Sequence, residues 1–105
     1  MKEPKCPKCG ELVKEHGITD VVNDWIAKDV MGWKTPPKDW RPGEDKLDAI
    51  AALDRMNGWE IRHWYSYYLV VARKGCTNYY GVADTLPLSA YRAILEALSD
   101  EVHSM

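Results

Sequence analysis

The residues best equipped for chemistry lie near the start of the chain, in Cys6-Pro7-Lys8-Cys9-Gly10. Two thiolates two residues apart, with glycine after the second, make a knuckle whose turn aims backbone amides at sulfur. Both sulfurs can then reach one tetrahedral ion, and His16 supplies a third donor. A complete zinc ribbon needs a second pair of this kind, and the chain has none. Cys76, His63 or a neighbouring chain would have to provide the fourth ligand. The expectation is a structural zinc on Cys6, Cys9 and His16, with every position closed by protein. The rival reading is a vestigial knuckle on a flexible tail. A redox role fits less well, because redox CxxC pairs open a helix within a βαβ unit and this one precedes a loop.

A second constellation is aromatic and basic. Trp59, Arg62, His63, Trp64, Tyr65, Tyr67 and Tyr68 follow closely on one another, with Arg73, Lys74, Tyr79 and Tyr80 beyond them. The chain has five Trp and six Tyr but no Phe, so every aromatic carries a polar handle suited to an interface or pocket. Strand alternation sends Arg62, Trp64 and Tyr68 to one face and Ile61, His63 and Tyr65 to the other. Rings beside guanidinium groups suit a planar ligand or a charged partner. The residues expected to bind a ligand or partner are Arg62, Trp64, Tyr65, Tyr67, Tyr68, Arg73 and Tyr79. The alternative is ordinary core packing with solvated charges at the strand edges.

Neither constellation is catalytic. No Ser, Cys or Asp accompanies His63 in a nucleophilic pattern. Asp45, Asp48 and Asp54 share one helix, where a solvated face accounts for them. A P-loop, a dinucleotide fingerprint and a paired-carboxylate site are all missing from the sequence. That favours a binding protein over an enzyme.

Composition narrows the class. At 105 residues the chain suits one hydrophobic core, and 46% apolar with 29% charged residues is ordinary for a globular domain. A net charge of −2 argues against duplex nucleic acid as the partner. No apolar run approaches the roughly 18 residues that span a bilayer. Met1 to Lys5 lead into no apolar segment, so no signal peptide is expected. With three cysteines, an odd number, a reducing cytoplasm is the expected setting.

Residues 1–18, rich in Lys, Glu, Pro and Gly, form a tail or knuckle ahead of a domain over 19–105. Thr19 or Asp20 caps a first helix with Val22, Trp25, Ile26 and Val30 at helical spacing, closed by Gly32. Pro36, Pro37, Pro42 and Gly43 mark a loop. Asp45 caps a second helix with an apolar face of Leu47, Ile50, Ala51 and Leu53, stopped by Asn57-Gly58. Three strands follow: one from Trp59, one over Tyr68 to Ala72 that reads as covered on both faces, and a short one from Tyr79. The turns between them fall at Tyr65-Ser66-Tyr67 and Gly75 to Asn78. Asp84 or Thr85 caps a last helix striped by Leu88, Tyr91, Leu95, Leu98 and Val102. The order is two helices, a three-stranded antiparallel meander and a helix: an α+β domain, expected as a layered α/β/α sandwich.

Four segments in this order resemble a known family. Trp25 to Trp33 and Asp48 to Leu53 are similar to the two helical signatures of the phage ABA-sandwich domain. Gly58-Trp59-Glu60-Ile61 is similar to its first strand, and Ala83 to Leu95 to its closing strand-to-helix junction. The resemblance covers about residues 20–98. It implies a phage or prophage origin in a bacterial host cytoplasm, helices on a small antiparallel sheet, and no particular activity. Cys76 in a turn and the aromatic run Trp64 to Tyr68 depart from the family pattern. The function expected is a non-enzymatic accessory protein that binds a host component, countering host defence by occupying a protein target. Two alternatives are an oligomeric sponge for a nucleotide or small molecule, and a zinc-dependent adaptor in phage gene expression. The partner is accordingly a host protein or a small nucleotide, with a homo-oligomer also compatible.

Overall fold

The structure, a computed structural model, describes residues 5–103, with side chains placed through Asp100. Lys5 bridges antiparallel to Leu12, and Val13–Glu15 makes one 3-10 turn. The domain then runs α1 (Asp20–Asp29), α2 (Lys46–Leu53), β1 (Gly58–Trp64), β2 (Tyr67–Lys74), β3 (Thr77–Ala83) and α3 (Leu86–His103). The sheet is an antiparallel meander in the order β1-β2-β3. The α+β class and the element order are therefore those expected.

Local chemistry sets the boundaries. The Thr19 hydroxyl accepts a hydrogen bond from the Val22 amide, and the Asp45 carboxylate accepts from the Leu47 and Asp48 amides. Each satisfies donors that a helix start leaves without partners. At the end of α1, Gly32 takes the left-handed backbone (φ +74°), and the Trp33 amide donates to the Ala27 carbonyl. The proline-rich loop is anchored rather than loose. Trp40 is buried, its indole donates to the Asn23 carbonyl at 2.9 Å, and its ring meets Trp33 edge-on with centroids 4.9 Å apart.

The layers stack differently from an α/β/α sandwich. α3 packs on β2 and β3 along one side and receives α2, with lighter contact from α1, so α3 is the middle layer. Its burial shows the same thing: Ser89, Ala90, Tyr91, Ala93, Ile94, Leu95, Ala97, Leu98 and Ser99 are all buried, far more than one stripe. Val102, at the end of the expected stripe, lies outside the described side chains. The small residues make this possible. A Cβ on Gly81 would lie 1.9 Å from the Ser89 carbonyl oxygen and 2.5 Å from the Ala93 nitrogen, so α3 rests directly on the β3 backbone. The Ser89 hydroxyl, within reach of the Tyr68, Ala83 and Thr85 carbonyls, ties the helix start to two strands.

This stacking covers one sheet face only. Val70, Ala72, Tyr79 and Ala83 are buried beneath the helices, whereas Leu69 and Val71 on the alternate parity of β2 are half-buried. The expectation that β2 is covered on both faces is thus corrected. The α2 face is corrected as well: Ala49, Ala52 and Leu53 are buried, while Leu47 is 78% exposed. Alanines bring α2 close to α3, and that close approach outweighs burying the larger Leu47.

Candidate metal centre and open sheet face

Between Lys5 and Leu12 the chain folds back tightly. The Cys6 amide donates to the Glu11 carbonyl, and the Cys9 and Gly10 amides both donate to the Cys6 carbonyl, with Gly10 in the left-handed region (φ +79°). The 3-10 turn then carries His16 back toward the cysteines. The donor atoms of Cys6, Cys9 and His16 lie within 4.8 Å of one another. Around a tetrahedral ion, bonds of about 2.3 Å to sulfur and about 2.0 Å to nitrogen put donors about 3.5–3.8 Å apart. Only a small closure separates the observed cluster from that geometry.

His16 is fully buried, and its Nδ1 is paired with the Gly17 carbonyl. The proton placed on Nδ1 by that pairing leaves a lone pair on Nε2, the arrangement of a ligating histidine held by a backbone oxygen. Nε2 is buried with no hydrogen-bond partner. An orphaned buried acceptor costs about 1–3 kcal/mol, which an ion between it and the sulfurs would remove. Cys6 is buried and Cys9 exposed, so the cluster lies at the protein surface with one sulfur facing solvent. Desolvation raises the Cys9 thiol above its usual pKa, helped by the neighbouring Cys6, while a hydrogen bond from Thr19 opposes the rise.

The knuckle is packed into the domain. Cys6 and Val13 belong to the main hydrophobic core. The Arg92 guanidinium of α3 donates to the His16 carbonyl at 3.0 Å and to the Val82 carbonyl at 2.9 Å. The Tyr91 hydroxyl accepts from the Thr19 amide and donates to the Thr19 carbonyl, each at 3.2 Å. Neither Arg92 nor Tyr91 stood out in the sequence as part of this centre, because each is separated from its contacts by more than seventy residues. Burial pushes the Tyr91 phenol up to about 12 from an ordinary value near 10. The folded chain therefore keeps a proton that the unfolded chain loses between those values, and the associated stability, complete below pH 10, declines as pH rises toward 12. Tyr91→Phe should cost about 1–3 kcal/mol at pH 7, and that gap should narrow above pH 10 in urea denaturation. A gap independent of pH would show that the Tyr91 hydroxyl is not buried as described.

Two residues expected as fourth ligands lie elsewhere. Cys76 is exposed in the β2–β3 turn, and His63 is stacked on Tyr68 on the sheet, with ring centroids 4.1 Å apart. Among the described residues the cluster has three donors.

The aromatic and basic residues divide between faces. A two-residue turn, Tyr65-Ser66, pairs Trp64 with Tyr67 and His63 with Tyr68. Arg62, Trp64, Tyr67 and Arg73 thus share the open face with Leu69, Val71, Tyr80 and Val82. The Trp64 and Tyr67 rings stack at 5.5 Å, and Arg62 pairs with Glu60 at 3.1 Å. Arg73 donates to the Asn78 side chain. Tyr65 stands fully exposed at the hairpin tip, with a left-handed backbone (φ 35°) that is rare for a bulky residue.

Tyr68 and Tyr79 are corrections. Tyr68 points to the helix side, because the turn is one residue shorter than expected and a one-residue slip exchanges the faces. Tyr79 is buried beneath α3, and its hydroxyl donates to Asp100 at 2.6 Å. That hydrogen bond is the main cause of its raised pKa. Tyr80 and Val82, about half exposed, belong to the open face that the expected ligand residues left incomplete. Their signal was the alternation of β3 itself, with Tyr79, Gly81 and Ala83 buried between them.

Among the described residues no helix is long and apolar enough to cross a membrane. Comparison with family models, curated proteins and solved structures returned no match.

Proposed function

We propose that this chain is a zinc-stabilised binding protein with no catalytic role. Cys6, Cys9 and His16 hold the ion, and the open sheet face receives the partner. Zinc suits two thiolates and an imidazole, being borderline-soft, redox-inert and tetrahedral by preference. Its work is structural: it holds residues 5–18 against α3, where Arg92 grips His16 and Tyr91 grips the adjoining Thr19.

The observation that carries the binding role is the open face, where Arg62, Trp64, Tyr67, Tyr80 and Val82 are exposed together. Trp, Tyr and Arg are the residues that dominate the energy of protein interfaces, and a twisted sheet presents them on a rigid frame. Arg62 and Arg73 outnumber Glu60 among the charges on that face. The partner that fits is a protein surface with an apolar patch beside carboxylates. In keeping with the resemblance noted above, we take this to be a host protein that a phage or prophage product occupies in the bacterial cytoplasm.

The double variant Arg62→Ala with Trp64→Ala tests the reading. Both side chains are solvent-facing, so its melting temperature should stay within a few degrees of the parent. Immobilised parent protein should retain a stoichiometric host protein that the folded double variant loses. Identical retention by both would place the contact surface elsewhere, and a nucleotide-dependent thermal shift abolished in the variant would favour the small-molecule sponge.

A further inference from the structure

We propose that the metal centre is an open one: Cys6, Cys9 and His16 fill three positions, and the fourth takes a donor from outside the chain, a thiolate or an imidazole. This rests on the zinc reading above and goes beyond it, since a purely structural zinc is closed by four protein ligands.

Two observations converge on it. First, among the described residues no further His, Cys, Asp or Glu donor joins the cluster, and Cys76 and His63 lie on the sheet and its turn. Second, burial is asymmetric. Cys6 and His16 approach from inside the protein, at 1% and 0% exposure, whereas Cys9 is exposed, so the remaining position borders solvent on the Cys9 side. Two thiolates and an imidazole leave a zinc centre neutral, so one more sulfur or nitrogen donor adds no unmanageable charge and matches the ion's softness.

Cobalt substitution tests this, because cobalt(II) occupies zinc sites and its visible ligand-field bands report the number and type of donors. The full chain is loaded with cobalt and titrated with imidazole and, separately, with 2-mercaptoethanol; a dilution series runs alongside. Open coordination predicts a saturable change in the bands with either ligand, or a change on dilution if a second copy supplies the donor. Bands that neither ligand nor dilution moves overturn the open site while leaving the metal reading intact. A folded chain that takes up no cobalt overturns both.

Discussion

Gly81→Ala should be the most damaging single-methyl change in the sheet, destabilising the fold by about 3 kcal/mol or more. Its backbone is ordinary extended strand, so alanine brings no conformational penalty of its own. The damage is steric. The added carbon would lie 1.9 Å from the Ser89 oxygen, 2.5 Å from the Ala93 nitrogen and 3.1 Å from the Arg92 carbonyl carbon. All three are backbone atoms of α3, so no side chain can rotate away. Relief requires the whole helix to lift, yet Ser89 ties it to Tyr68 and Ala83, and α2 packs on its far side. For a domain of this size each kcal/mol shifts the melting temperature by about 4–8 °C, so a loss of roughly 12 °C or more is expected. Gly58→Ala is the control, since nothing lies within 4 Å of its added carbon. Equal melting temperatures for the two variants would show that α3 does not rest on β3.

Removing the proposed zinc should have the second large effect. Chelation, or His16→Ala, should lower the melting temperature by roughly 10 °C or more, because metal binding at such sites is itself a folding term. The apo state leaves the buried His16 nitrogen without a partner beside two thiols that repel each other when ionised. Loss of the ion should first loosen residues 5–18, and with them the anchors of Arg92 on His16 and Tyr91 on Thr19. Hydrogen exchange should therefore show lost protection in the knuckle and the first half of α3, with β1 and β2 less affected. Chelator-treated protein that melts and exchanges like the untreated chain would contradict this.

How much of this was legible in the sequence depended on how local the cause was. Thr19 and Asp45 act on amides two or three residues away, so both helix starts could be read from residue type and spacing. The knuckle is equally local, and His16 lies close enough in sequence to be named with the cysteines. The faces of the hairpin depended on turn length. Reading Tyr65-Ser66-Tyr67 as the turn paired Trp64 with Tyr68, whereas the two-residue turn pairs it with Tyr67, which exchanges Tyr67 and Tyr68 between faces. The position of α3 as the middle layer was hidden for a different reason. Besides its leucine and tyrosine stripe it buries Ser89, Ala93 and Ala97, which carry little hydropathic signal. Gly81 has meaning only once the helix is seen on it. Likewise Tyr79 and Tyr80 are the same residue type side by side, and only the sheet decides that one is core and the other surface.

Whether Cys6, Cys9 and His16 hold zinc is decided by elemental analysis of protein purified without chelator. About one zinc per chain is expected, lost in Cys6→Ser and in His16→Ala and kept in Cys76→Ser and His63→Ala. Folded parent protein without zinc, or zinc retained in Cys6→Ser, would contradict it.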